Sequence, residues 1–204
     1  MKISRQYYAY IFSVNQTSSS NQYFFRAKEY VFDLLGKSLS GGINNRTYYI
    51  GMGSTSYISP CLEAISDWNS LLSPSNGYGV NFNFSRVYLP TNATFNFWGE
   101  NQPDEPWVGL TRFFDSSGNS LNNLNALPNY TTTNWSRASI IINSYFASDL
   151  TYNKKKSVFN HEIGHALGLA HVDPTNLIMR QGVFDRTVII PKVGDLKGAE
   201  YIYS

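Results

Sequence analysis

All three histidines of this 204-residue chain fall within eleven residues, His161-Glu162-Ile163-Gly164-His165-Ala166-Leu167-Gly168-Leu169-Ala170-His171. No other feature constrains the fold as tightly. His161 and His165 are four positions apart, so on a helix they stand one turn above each other and face the same way. Two imidazoles so placed reach one metal ion at about 2.0–2.1 Å. Glu162 follows the first of them and on the helix points beside such an ion rather than at it, where a carboxylate acts as base toward a bound water. Gly168 stands where the helix has to break, because a residue without Cβ takes a positive φ and turns the chain back. Three residues on, His171 arrives at the third corner of the same site. Three neutral imidazoles leave a fourth position open, the arrangement of a catalytic zinc and not of a closed structural one. The rival reading, satisfied core histidines, has to account for five fixed positions in eleven residues and for every histidine of the chain.

Composition removes other classes. The length suits one domain with a full core. An apolar fraction of 42% with 16% aromatics excludes a disordered or collagen-like chain. Sixteen Lys and Arg stand against fourteen Asp and Glu, and the strongest run of like charge is Lys154-Lys155-Lys156. Nucleic acid is therefore not an expected partner. Runs such as Ser139-Ile140-Ile141-Ile142 fall far short of the roughly 20 apolar residues of a membrane span. Cys61 is the single cysteine, so it forms neither an internal disulfide nor a thiolate metal cluster, and it reads as a buried small hydrophobe. Only 15% of the residues are charged while Ser, Asn and Tyr are plentiful, a composition in keeping with secretion. At the N-terminus Lys2 and Arg5 with Tyr7–Val14 would suit a secretory leader, but three tyrosines and the lack of a small-x-small site argue against one.

The elements alternate in kind. Asn15–Gln22 is a polar loop, and apolar positions 24, 27, 31, 34 and 35 predict a helix over 23–35 ending at Gly36. Ser40-Gly41-Gly42 and Asn44-Asn45 mark a boundary, with an N-terminal segment over 1–45 and the main domain over 46–204. Strands are expected at Thr47–Met52, Val80–Val87, Ala93–Trp98, Trp107–Phe114 and Ala138–Phe146. Ser59 and Pro60 predict the start of a helix with Leu62, Ile65, Trp68, Leu71 and Leu72 on one stripe. A second helix from about Ser157 carries the histidines, and Val193–Tyr203 closes the chain. About five strands in a mixed twisted sheet with two long helices and a C-terminal helix define an α+β class.

The eleven-residue stretch resembles the zinc-binding signature of the metzincins, a zincin-like fold. Met179, eight residues after His171 in Asn176-Leu177-Ile178-Met179, is similar in position to the Met-turn of matrixins. Ala64-Ile65-Ser66-Asp67-Trp68 resembles the first helix of the matrixin catalytic domain, and Asp195–Tyr203 resembles its closing helix. Several family features are missing from this sequence. No histidine remains for a second, structural zinc. The Pro-Arg-Cys-Gly switch is not found, Gln181 stands where some relatives have a tyrosine ligand, and the Pro-x-Tyr wall after Met179 is lacking. Calcium sites are common in the family, but the Asp115–Asn123 loop is poor in carboxylates.

The resemblance implies a secreted, monomeric zinc metalloendopeptidase acting on protein or peptide substrates. Zn2+ would sit on His161, His165 and His171, with Glu162 as general base and one catalytic ion per chain. An extended substrate would pair with an edge strand within Trp107–Phe114. A zinc-bound but inactive peptide-binding module is the alternative, against which the intact Glu162 argues. Hydrolysis of a non-peptide bond by the same zinc-water is a third reading that no residue favours. Residues 1–45 have two readings: a helix packed on the domain, or a removable pro-segment with Asp33 as an acidic cap on the metal.

Overall fold

The computed structural model describes residues 7–15, 24–32, 34–121 and 133–204. In chain order its elements are β1 (Tyr7–Asn15), β2 (Phe24–Phe32), β3 (Arg46–Ile50), α1 (Thr55–Leu71), β4 (Phe84–Arg86), β5 (Phe95–Glu100), β6 (Gly109–Phe114), β7 (Arg137–Asn143), α2 (Ser144–Ala147), α3 (Tyr152–Ala166) and α4 (Val193–Tyr203). Strands β4-β3-β5-β7-β6 form one mixed sheet in that order. The pairs among β4, β3, β5 and β7 are parallel. At one edge β6 runs antiparallel to β7, with Gly109 opposite Ile142 and Thr111 opposite Ile140. The expected α+β class holds, and the strand expected within Trp107–Phe114 is an edge.

Helix α3 packs on β6, β7 and α1. Phe159 of α3 meets Phe97 of β5 edge-on at 6.4 Å, and Phe84 stacks on Phe95 at 4.3 Å. Two buried tryptophans bond to α3 from outside. Trp68 Nε1 donates to Asn160 O at 3.1 Å, and Trp135 Nε1 donates to Ala166 O at 3.1 Å. Because an indole N–H is costly to bury unpaired, each ring is held at one depth and one angle against the helix.

Several boundaries differ from the sequence expectation. Residues 24–32 are a strand, not a helix: β2 pairs antiparallel with β1 from Tyr7 opposite Phe32 to Asn15 opposite Phe24. Phe24, Phe25, Tyr30, Val31 and Phe32 are residue types that favour strands, and this preference with a partner strand outweighs the helical spacing. Asp33 and residues 16–23 lie outside the described residues. Helix α1 starts a turn before Ser59, since Ser54 is the N-cap and accepts from Ser56 N–H. Pro60 is thus inside the helix, where its ring lacks the N–H of an ordinary helical residue. Helix α3 starts at Tyr152, behind Thr151, whose hydroxyl accepts from Lys154 N–H. Only Phe84–Arg86 of the stretch 80–87 joins the sheet, although Val80, Phe82 and Phe84 are all buried. The last strand stops at Asn143, which caps α2 by accepting from Tyr145 N–H.

Residues 34–43 run along the domain. Leu34 bridges Leu169, and Leu35 N–H donates to Gly168 O at 2.8 Å. Ser40 N–H donates to Trp135 O, while Leu39 N–H donates to the Tyr203 hydroxyl. Leu39 and Ile43 are buried in the main core. Among the described residues no helix is long and apolar enough to cross a membrane. Replacing Leu39 with Ala is expected to lower stability by about 2–4 kcal/mol through the cavity it leaves, measured by urea denaturation. A change below about 0.5 kcal/mol would mean that this segment is not part of the core.

Candidate active site

Helix α3 ends in two crossed bonds. Gly168 N–H donates to His165 O at 2.8 Å and Leu169 N–H donates to Gly164 O at 3.0 Å, a Schellman closure. Gly168 has φ +98, which a residue with Cβ adopts only under strain. The reversal carries the chain back past the helix end and brings His171 to the other two histidines. All three side chains that the sequence singled out as ligands meet, with one nitrogen from each within 4.8 Å of the others.

The surroundings set the tautomers. His161 Nδ1 is 2.8 Å from Ile178 O, and His165 Nδ1 is 2.8 Å from Leu169 O. A carbonyl only accepts, so both Nδ1 atoms carry the proton and both Nε2 atoms present lone pairs. Those Nε2 atoms lie 3.2 and 3.0 Å from His171 Nε2. His171 can offer at most one proton there, so at least one lone pair has no donor. A cation among the three satisfies all of them. The spacing fits zinc, whose tetrahedral bonds of 2.0–2.1 Å separate ligand atoms by roughly 3.3–3.4 Å. Burial above all lowers the imidazole pKa values, His161 well below its ordinary range, His165 to about 3 and His171 to about 4. The neutral form that a metal requires is therefore the resident one.

Met179 is buried beneath this cluster, its sulfur against Gly164 of α3. One carboxylate holds the turn that presents it. Asp195, in the first turn of α4, accepts from Ile178 N–H at 3.0 Å, Met179 N–H at 3.3 Å and Lys192 N–H at 2.8 Å. Burial pushes Asp195 up to about 6 even so, the three N–H bonds pulling the other way. Arg186, also buried, donates through Nη1 to Ser157 O at 2.8 Å and reaches Ile178 O at 3.5 Å. Burial lowers it to about 10, opposed by Glu162 and Asp195.

Glu162 is 5% exposed and lies between α3 and the edge strand. Burial raises its pKa to about 7, with the Thr111 hydrogen bond and Arg186 drawing it down. Thr111 Oγ1 is 2.8 Å from Glu162 Oε2. A Cβ on Gly109 would fall 2.6 Å from Glu162 Oε1 and 2.7 Å from Val158 Cγ1, so with any other residue at 109 those side chains would have to shift. Sequence reading did not single out Gly109, Thr111 or Arg186. A glycine inside an apolar strand was the available signal for the first, and the other two offered none. Elsewhere, Asp115 turns both oxygens to Asn119, accepting from its backbone N–H at 2.8 Å and its side-chain amide at 2.9 Å. Cys61 is fully buried, with its thiol pKa pushed up by that burial.

Residues 92–204 match the peptidase family described as matrixin. The match spans more than half of the chain and takes in β5 to α4, the histidine cluster and the Met179 turn. This chain belongs to the matrixin family, with a metzincin-type catalytic domain, and is a zinc metallopeptidase in that general sense. Its substrates are accordingly proteins. No curated protein matches it at a significant level.

Replacing Asp195 with Ala would strand the Ile178 and Met179 N–H groups, each worth about 1–3 kcal/mol when buried and unpaired. The variant is expected to lose at least about 2 kcal/mol in chemical denaturation and to give up zinc at lower chelator concentration than the parent. Unchanged zinc retention would mean that the Met179 turn does not depend on this carboxylate.

Proposed function

We propose that the chain is a secreted, monomeric zinc metalloendopeptidase that cuts extended segments of proteins with Glu162 as general base. The observation that carries this reading is the buried Glu162 carboxylate, next in sequence to His161 of the three-histidine cluster and packed against Gly109 and Thr111 of β6. His161, His165 and His171 would hold the zinc. Bound there, the ion supplies Lewis acidity, acidifying a water and polarising the scissile carbonyl. The chain's own groups then divide the remaining tasks. An extended peptide adds along the outer side of β6 at its Gly109 end, pairing backbone to backbone. Glu162 takes one proton from the attacking water, and the neutral acid so formed returns it to the nitrogen of the broken peptide bond. Burial favours this cycle, because an acid held near neutrality both accepts and releases a proton readily.

Secretion is supported by the low charge content and by the extracellular habit of the family. For residues 34–45, their backbone bonds to Gly168 and Trp135 support a packing role over that of a removable piece.

Glu162→Ala is expected to keep about one zinc per chain while its cleavage of a denatured protein falls at least about a hundredfold, the usual worth of a general base. Equal cleavage by variant and parent would sink the assignment, and zinc without any cleavage by either would favour the binding-module alternative. Catalysis requires Glu162 ionised, so activity is lost as pH falls through its pKa. That pKa is about 7 in the metal-free chain and is drawn lower by a dication nearby. On the acid side log(kcat/KM) should therefore rise by about one per pH unit and level off once the pH exceeds that lowered pKa. A profile flat down to about pH 5 would contradict a protonatable base.

A further inference from the structure

The proposed chemistry needs more of Glu162 than its charge. A carboxylate on a freely turning side chain offers either oxygen in many directions, and a base is effective only when the accepting oxygen is aimed. Two residues of β6, both facing α3, restrict this one. Gly109 leaves room for Oε1, since a Cβ there would lie 2.6 Å from that oxygen and 2.9 Å from Glu162 Cγ. Thr111, two residues on, places its hydroxyl oxygen 2.8 Å from Oε2 and 3.0 Å from the backbone oxygen of the same glutamate. Thr111 is itself 3% exposed, so water does not compete for the bond.

We infer that Thr111 is a positioning residue for the proposed peptidase reaction, its hydroxyl engaging Oε2 of Glu162 so that Oε1 is the oxygen left to accept and return the proton. The inference rests on the general-base reading of Glu162. A threonine hydroxyl has one proton and two acceptors within reach, the carboxylate and the Glu162 carbonyl. The charged carboxylate is the stronger acceptor, and a bond to Oε2 restricts rotation about the terminal bond of Glu162. Nothing is transferred through Thr111: the proton leaves the water, rests on Oε1 and goes to the leaving nitrogen, and the Thr111 proton stays on Oγ1. β6 thus has two jobs, offering backbone to substrate at the sheet's edge and aiming the base from its α3-facing surface.

The test compares Thr111→Val, Thr111→Ser and Glu162→Gln in the full zinc-loaded chain on one peptide substrate. Valine keeps the shape and removes the donor. It should leave zinc content and KM within about twofold and lower kcat about 10- to 100-fold, a part of the total worth of a general base. Serine restores the hydroxyl and should return kcat to within about threefold of the parent, a rescue that a packing role would not give. Combining Thr111→Val with Glu162→Gln should add no further loss, because the hydroxyl then has no base to aim. If valine proves unstable, Thr111→Ala against Thr111→Ser gives the same comparison without a branched side chain. Parent-like kcat in Thr111→Val, or serine as impaired as valine, overturns the positioning role while an inactive Glu162→Gln leaves the general-base reading standing. A fully active Glu162→Gln overturns both.

Discussion

The active site hangs on a backbone reversal more than on any side chain. Gly168, at φ +98, ends α3 and sends the chain back so that a histidine six residues beyond His165 stands beside it. A Cβ at this residue would meet Lys37 O at 3.0 Å as well as a strained dihedral. The carbonyl of Gly168 accepts from Leu35, and that of Leu169 accepts from His165 Nδ1. The turn is thus fixed from three directions: by its own helix, by the segment leading into β3 and by one of the ligands it serves.

A second constraint lies on the other side of the cluster. Ile178 O takes the Nδ1 proton of His161, Ile178 N–H goes to Asp195, and Arg186 reaches the same carbonyl. One residue of the Met179 turn therefore joins the ligand helix, the closing helix and the loop beyond the turn. Arg186 and Asp195 carry opposite charges into a buried region where either alone would be costly. Burial moves each pKa toward its neutral form, and for Glu162 and Arg186 the neighbouring opposite charge works against that shift.

The site was legible because its ligands are local in sequence. A spacing of four on a helix and a reversal at Gly168 bring His161, His165 and His171 together, so that cluster could be expected without knowing any tertiary contact. Met179 was reached through resemblance, while the closing helix was expected from the sequence pattern. Thr111 and Gly109 lie some fifty residues from Glu162, and only the placement of β6 at the sheet edge against α3 brings them together. For residues 24–32 the helical spacing was real but was also consistent with a strand, and the choice fell to β1, a partner that periodicity within the segment does not see. At Pro60 a signal normally found at helix starts occurs one turn inside, because Ser54 caps first.

The two tryptophan anchors on α3 carry a consequence for how the metal is exchanged. Trp68 and Trp135 bind the carbonyls of Asn160 and Ala166, on either side of the two ligand residues of the helix, and neither bond involves the ion. The scaffold that spaces His161 from His165 is thus assembled by packing alone. A zinc ion held there would enter a frame that these contacts already space. Removal by a chelator should be a reversible local event, in contrast to small zinc domains for which the metal is the core.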